Sequence, residues 1–236
     1  MIYVLMTIIS LIPVMGLGYY IYTKDTVKEP KTLLIGLFAS GFLAAFLVVL
    51  FNIVLVLLLP DYYLLDNNTN FSRVELFTLI FFEIAFIEEL AKWLMVKIFG
   101  YNNQEFDQFY DIIVYAVFIS LGFAAVENIF YVVPEANIGL GIFRAIFSVP
   151  AHAAFGVYMG YFFARAKMIE GYDNFKYFMN MLSALFIPAV FHTIYNFCLM
   201  TENDLYLIIF ILFIIVLYLT AFVEVNRASR SGTKVK

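Results

Sequence analysis

The stretch Ile80-Phe81-Phe82-Glu83-Ile84-Ala85-Phe86-Ile87-Glu88-Glu89-Leu90-Ala91-Lys92-Trp93-Leu94-Met95-Val96 decides the class of this chain. It is apolar and long enough to cross a bilayer, yet Glu88, Glu89 and Lys92 stand inside it. An ionisable group at membrane depth costs about 2.5–3.5 kcal/mol on insertion scales. Three such groups in one turn and a half mark a functional site by default. The bland alternative is a structural ion cluster that holds helices together.

The surrounding sequence has the same character. The 236 residues are 64% apolar, 19% aromatic and 14% charged, and the mean hydropathy is +0.92. A soluble domain carries about 25% charged residues. The chain therefore reads as an integral membrane protein with little outside the bilayer. The single cysteine, Cys198, excludes an intrachain disulfide and reads as a packing residue. No nucleic-acid partner is expected.

Apolar runs of spanning length fall at about 2–22, 32–59, 76–99, 112–133, 142–164, 178–199 and 205–224. The expected fold is an all-α bundle of about seven transmembrane helices in one polytopic domain, 1–236. The first run lacks a basic leader and a small-residue cleavage site, so it does not read as a cleaved signal. Seven spans place Lys24, Lys28, Lys31, Lys97, Arg165, Lys167, Lys176, Arg227, Arg230, Lys234 and Lys236 on one side. Only Arg73 and Arg144 fall on the other. The positive-inside rule then predicts an outside N-terminus and a cytoplasmic C-terminus. Asn67-Asn68-Thr69 and Asn70-Phe71-Ser72 have the form of glycosylation sequons, which in a bacterial protein are only polar loop residues.

Four of the apolar runs carry polar groups. At about 100° per residue, Lys92 lies between Glu88 and Glu89 and can pair with either, at i,i+4 or i,i+3. Whichever glutamate it neutralises, the other is left to act as a base. On the same count Glu83 points about 140° away from Glu88 and reads as a separate interhelical hydrogen bond. The fourth run carries Glu127 and Asn128. Both histidines of the chain, His152 and His192, lie in apolar runs, each shortly after a proline, Pro150 and Pro188. His192 and Asn196 share a face at i,i+4, from which both could donate to one substrate atom. His152, Gly156 and Gly160 form a stripe that admits either a neighbouring helix or a substrate backbone. Counting about 1.5 Å per residue puts Glu127, His192, His152 and Glu88 about 9, 10, 15 and 18 Å below the outer surface. That is compatible with one cavity open to the outside.

This inventory contains no serine or cysteine nucleophile beside a base, no G-x-S-x-G and no pair of membrane aspartates. It leaves a water activated by a carboxylate, with or without a metal. Glu88, His152 and His192 would suit zinc. Without a metal, His192 and Asn196 could form an oxyanion hole.

Taken in order, Glu88-Glu89-Leu90-Ala91-Lys92, Phe123-x-x-x-Glu127-Asn128, His152 and His192-x-x-x-Asn196 resemble the PrsW family of intramembrane proteases. That family is related to the CAAX prenyl endopeptidases and the bacteriocin-immunity membrane proteins. The resemblance covers about 76–199, which would be the catalytic core. It implies a multi-pass peptidase of the bacterial plasma membrane acting on a membrane-tethered, single-span protein, such as an anti-sigma factor cut at site 1. Carried over from the CAAX relatives, Glu88 would be the base, with His192 and Asn196 the oxyanion donors. This chain departs from those relatives in two places. Lys92 stands where they have an arginine one residue on, and Glu127 stands where they have a histidine. The second departure makes His152 the third catalytic or ligand residue and leaves the metal question open. Two other classes stay in view: an ion- or proton-coupled transporter, and a non-catalytic immunity or scaffold protein of the same fold.

Overall fold

A computed structural model describes residues 2–58, 71–201 and 203–235. The segment 67–70, which holds most of the two sequons, lies outside the described residues. Among the described residues seven helices follow one another: α1 (Ile2–Lys24), α2 (Lys31–Leu58), α3 (73–100), α4 (Phe109–Glu135), α5 (Ile138–Ile169), α6 (Asn174–Met200) and α7 (Asp204–Ser231). Six of them are long and apolar enough to cross a membrane. The exception is α3, which carries Glu83, Glu88, Glu89, Lys92 and Lys97.

Contacts between helix ends show that α3 nevertheless runs the length of the bundle. At its start, Arg73 lies over the Tyr206 ring at 5.3 Å and Phe77 packs edge-on against Phe197 at 5.4 Å. At its other end, Lys97 Nζ donates to the Tyr177 hydroxyl at 3.2 Å. That second end is shared by the 25–30 turn, the 101–108 loop and the C-terminal tail. Lys24 Nζ reaches Asn226 Oδ1 at 2.9 Å there. Backbone bonds join Phe109 to Thr233 and Val235 to Asp107, each at 2.8 Å. Seven antiparallel crossings thus gather the lysine-rich loops at one end, which is the sorting the loop charges predict.

The helices start where side chains satisfy their first free N–H groups. Ser72 and Glu75 form a reciprocal capping box, and Asp173 and Asn203 cap α6 and α7. Helix α4 is the central post, and most of its residues are buried. Glycines allow its neighbours to touch its backbone. A Cβ on Gly41 of α2 would stand 2.1 Å from the Ile119 carbonyl oxygen, and one on Gly160 of α5 would stand 2.5 Å from Ile113 Cα. A Cβ on Gly156 would stand 2.8 Å from Ser120 Oγ and 2.9 Å from the Ala116 carbonyl oxygen. The Gly156/Gly160 stripe is therefore helix packing onto α4, and the space for a substrate backbone is already filled.

Two helices widen locally to π geometry. In α3 the wide turns Ile80–Ala85 and Val96–Gly100 bracket the regular segment Phe86–Met95 that carries the charges. In α5 the wide turn Arg144–Ser148 comes just before Pro150. The proline ring would clash with the carbonyl four residues back, Ile146, and the extra residue in the turn relieves this. Such bulges tend to occur at functional sites. They also upset the angular count between Glu83 and Glu88, because Glu83 lies in the wide turn.

Candidate active site

The polar groups of α3, α4, α5 and α6 meet in one cluster. Lys92 Nζ donates to Glu89 Oε1 at 2.7 Å and to His152 Nδ1 at 2.9 Å, and it lies 4.2 Å from the centroid of the Phe123 ring. Glu89 Oε1 also receives His192 Nδ1 at 3.0 Å. His152 Nε2 meets Glu127 Oε2 at 2.7 Å. Glu88 Oε2 stands 3.9 Å from His192 Nε2. The two imidazoles cross edge to face with centroids 5.2 Å apart, and Phe155 stacks on His192.

Donor chemistry settles the proton positions. An ammonium only donates, so His152 accepts at Nδ1 and carries its hydrogen on Nε2, where it bonds Glu127. A carboxylate only accepts, so His192 donates from Nδ1 to Glu89 and a neutral His192 has a free lone pair on Nε2. That lone pair faces Glu88. Lys92 and Glu89 are wholly buried. Glu88 and Glu127 keep 13% and 18% of their side-chain surface and so form the accessible edge of the cluster.

The sequence left two partners open for Lys92, and the structure selects Glu89. Angle alone slightly favours Glu88, but His152 and Phe123 from neighbouring helices draw the ammonium to the other side. Glu89 accepts both bonds on Oε1 and leaves Oε2 unpartnered, whereas Glu88 makes no hydrogen bond within the cluster and its Oε2 is buried without a partner among the described residues. Asn128 does not reach the histidines. Its Oδ1 accepts from Arg144 Nε at 2.7 Å, and its Nδ2 donates to the Ser10 carbonyl at 3.4 Å. Asn196, one turn after His192, is half-buried and makes no hydrogen bond among the described residues. Glu83, in the wide turn Ile80–Ala85, makes an interaction of its own.

One residue of the cluster does not stand out in the sequence. Arg144 counts there as an outer loop charge, but it lies inside α5. Its guanidinium pairs with Glu127 Oε1 at 3.0 Å and sits over the Tyr131 ring at 4.4 Å. The available signal was a lone arginine in an otherwise apolar run from 138 to 149. Its partners on α4 cannot be read from α5 alone.

One donor atom each from Glu88, His152 and His192 lie within 4.8 Å of one another. Two imidazoles and one carboxylate are a donor set of catalytic zinc. The hydrogen bond from His192 Nδ1 to Glu89 is the outer-shell support that metal-bound histidines usually have. The unpartnered Glu88 oxygen is a further free ligand atom. The donor set suits a metal, but His152 would have to rearrange to join it: Nε2 carries the hydrogen given to Glu127 and Nδ1 already accepts from Lys92, so ligation through Nε2 would move that hydrogen to Nδ1 and displace Lys92.

Carboxylates and imidazoles enclosed by helices of membrane-crossing length are the groups an intramembrane hydrolase would use. The comparisons with known proteins narrow this class. A model of the PrsW family of intramembrane metalloproteases matches residues 29–222. Protease PrsW of Oceanobacillus iheyensis is 35% identical over 219 residues, 93% of this chain and 94% of that protein. Protease PrsW of Clostridioides difficile is 32% identical over 216 residues, covering 89% and 86%, and that of Bacillus subtilis is 31% identical over 188, covering 79% of each. No solved structure matches. The chain belongs to the PrsW family: it is a bacterial multi-pass membrane protein and an intramembrane protease.

Proposed function

We propose that this protease cuts a membrane-tethered protein at the Glu88–His192 gap, using a water that Glu88 deprotonates. The observation that carries this reading is the unpartnered Glu88 Oε2, 3.9 Å from a histidine whose other nitrogen is already held by Glu89. The gap is wider than a hydrogen bond and suits a bridging water. Glu88 takes the proton of that water as its oxygen attacks the scissile carbonyl carbon. The proton then passes to the leaving nitrogen as the C–N bond breaks. Lys92 keeps Glu89 ionised, and Glu89 keeps the His192 ring oriented. Arg144 and His152 hold Glu127 at the accessible edge.

Asn196, one turn after His192 and half-buried, would serve as an oxyanion donor. His192 could share that role only as an imidazolium, because its neutral form gives its one N–H to Glu89. A second reading is favoured by the donor set itself. Glu88, His152 and His192 would hold a zinc ion, which when bound supplies a polarised carbonyl and a water of lowered pKa. In that reading Glu88 is a ligand.

With the basic end of the bundle facing the cytoplasm, as the positive-inside rule asks, the accessible edge would face outward. The catalytic core is then about 76–199. The substrate class that fits is a single-span protein cut near its outer end, such as an anti-sigma factor at site 1. The test is a reconstituted cleavage assay on such a substrate, comparing wild type with Glu88→Gln. Loss of about 10³-fold or more is expected for a residue acting on the water. Full cleavage by Glu88→Gln would reject the assignment. Metal content separates the two roles of Glu88: a zinc-free wild type, or a variant that keeps bound zinc, leaves Glu88 as the base, and zinc bound by wild type but lost from the variant makes it a ligand.

A further inference from the structure

A second group of buried acids lies at the opposite, basic end of the bundle. It joins the turn between α1 and α2 to the start of α4. One carboxylate oxygen each from Asp25, Glu29 and Asp111 lie within 4.8 Å of one another. The three residues are 4%, 6% and 1% exposed.

Each acid is only partly satisfied. Asp25 Oδ1 accepts from the Val27 N–H at 3.2 Å, and Asp111 Oδ2 accepts from the N–H groups of Asp107 and Gln108 at 3.0 and 2.7 Å. Asp25 Oδ2, Glu29 Oε2 and Asp111 Oδ1 are buried without a hydrogen-bond partner. Among the described residues none of the three forms an ion pair. Lys28, the nearest cation, gives its ammonium to the backbone carbonyls of Tyr22 and Asp25 instead.

A fourth, different group points into the same space. The Tyr115 phenol of α4 is wholly buried and faces Glu29 and Asp111 without meeting hydrogen-bond geometry to either. Three carboxylates and a phenol, each with a buried oxygen that has no hydrogen-bond partner, form an all-oxygen donor set. Unpaired buried carboxylates are costly unless something neutralises them.

We propose that Asp25, Glu29, Asp111 and Tyr115 form a second metal site, distinct from the active centre, that binds one Ca²⁺ ion. The ion would fasten the α1–α2 turn to the first turn of α4. Oxygen-only donors select hard cations. Ca–O bonds of about 2.3–2.6 Å set opposite ligands about 4.6–5.2 Å apart, so one ion can reach all three carboxylates. Mg²⁺ demands near-ideal octahedral geometry at about 2.0–2.1 Å and sheds its waters reluctantly, so a buried set of protein oxygens suits it less well. Burial, followed by the neighbouring Asp111 charge, pushes the Glu29 carboxyl up to about 8, and burial also raises Asp25. Both directions are those of acids missing a counter-charge.

The test is Ca²⁺ titration of the full chain in phosphatidylcholine nanodiscs, after chelator treatment and dialysis, read by calorimetry and by melting temperature. Wild type should bind one Ca²⁺ saturably and melt higher in its presence. Glu29→Gln is the first variant, because the Glu29 side chain makes no hydrogen bond that glutamine would break. It should bind about tenfold or more weakly and lose the Ca²⁺-dependent rise in melting, since ligand charge sets affinity at such sites. Tyr115→Phe should weaken binding less, and Glu88→Gln should leave it unchanged. Mg²⁺ should compete only at higher concentration. Absence of saturable binding to wild type, or equal binding by Glu29→Gln and Tyr115→Phe, would overturn the proposal and leave the acids neutralised by protons. Loss of the site in Glu88→Gln would place the ion at the active centre and overturn it equally.

Discussion

Lys92→Met tests the internal logic of the candidate active site. Methionine keeps the length and apolar stem of the side chain and removes only the ammonium. Glu89 would then be a wholly buried carboxylate with one remaining donor, His192 Nδ1 at 3.0 Å, and its Oε2 already lacks a partner. Removing one member of a buried ion pair costs about 3–5 kcal/mol. For a chain of this size each kcal/mol corresponds to about 2–4 °C, so the melting temperature should fall by about 6–20 °C. Glu89→Gln in the same chain removes the stranded charge and keeps an acceptor for His192. The double variant should recover more than half of the loss, giving a coupling of about 2 kcal/mol or more. Melting in nanodiscs can be followed by circular dichroism and by the fluorescence of Trp93, the only tryptophan and the neighbour of Lys92. A Lys92→Met melt within about 2 °C of wild type, the range of neutral surface changes, would refute the reasoning. Strict additivity of the two substitutions would refute it as well.

Arg144→Met should lower proteolysis while the protein still folds, because Glu127 loses an ion pair and Asn128 a charge-assisted hydrogen bond of about 1.5–3 kcal/mol. Arg144→Lys should restore only part of the activity, since one ammonium cannot reproduce the forked contact to both residues; full restoration would show that charge alone matters. Gly41→Ala should reduce folded yield, with overpacking of at least about 1–3 kcal/mol where its Cβ meets the Ile119 carbonyl oxygen; normal yield and melting would show that α2 can shift off α4. The pH response should follow Glu29. With its carboxyl raised from 4.5 to about 8, the folded chain holds a proton that the unfolded chain has released. Its stabilising contribution is therefore complete below about pH 4.5 and is lost as the pH rises through about 8. Divalent-free protein should melt higher near pH 5 than near pH 9, and Glu29→Gln should flatten that difference; an equally steep profile in the variant would exclude Glu29 as its source.

Much of the site is legible in the amino-acid sequence. Glu88, Glu89, Lys92, Glu127, His152 and His192 stand out because lipid penalises each of them, and the structure brings all six together, five in one hydrogen-bonded group with Glu88 beside it at 3.9 Å from His192. Arg144 does not stand out, because a charge near the end of an apolar run reads as a loop residue. Asp25, Glu29 and Asp111 are equally inconspicuous, since acids in polar turns are ordinary until folding buries them together. The glycine stripe on α5 allows two readings, and only the backbone of α4 lying against it decides for packing.

Composition and apolar run length determined that this chain is a multi-helix membrane protein, because a bilayer accepts few other structures. The placement of lysine and arginine determined which loops share an end. Helical periodicity also related residues within one helix, as with Lys92 between two glutamates. It carries no information on how one helix is rotated and crossed against another. Tertiary structure therefore decided that Lys92 pairs with Glu89, that Glu88 is left free beside His192, that Arg144 closes on Glu127, and that three acids meet at the far end of the bundle. Each of these depends on contacts between helices distant in sequence, and short-range contacts fall off too steeply with distance for spacing along the chain to foretell them.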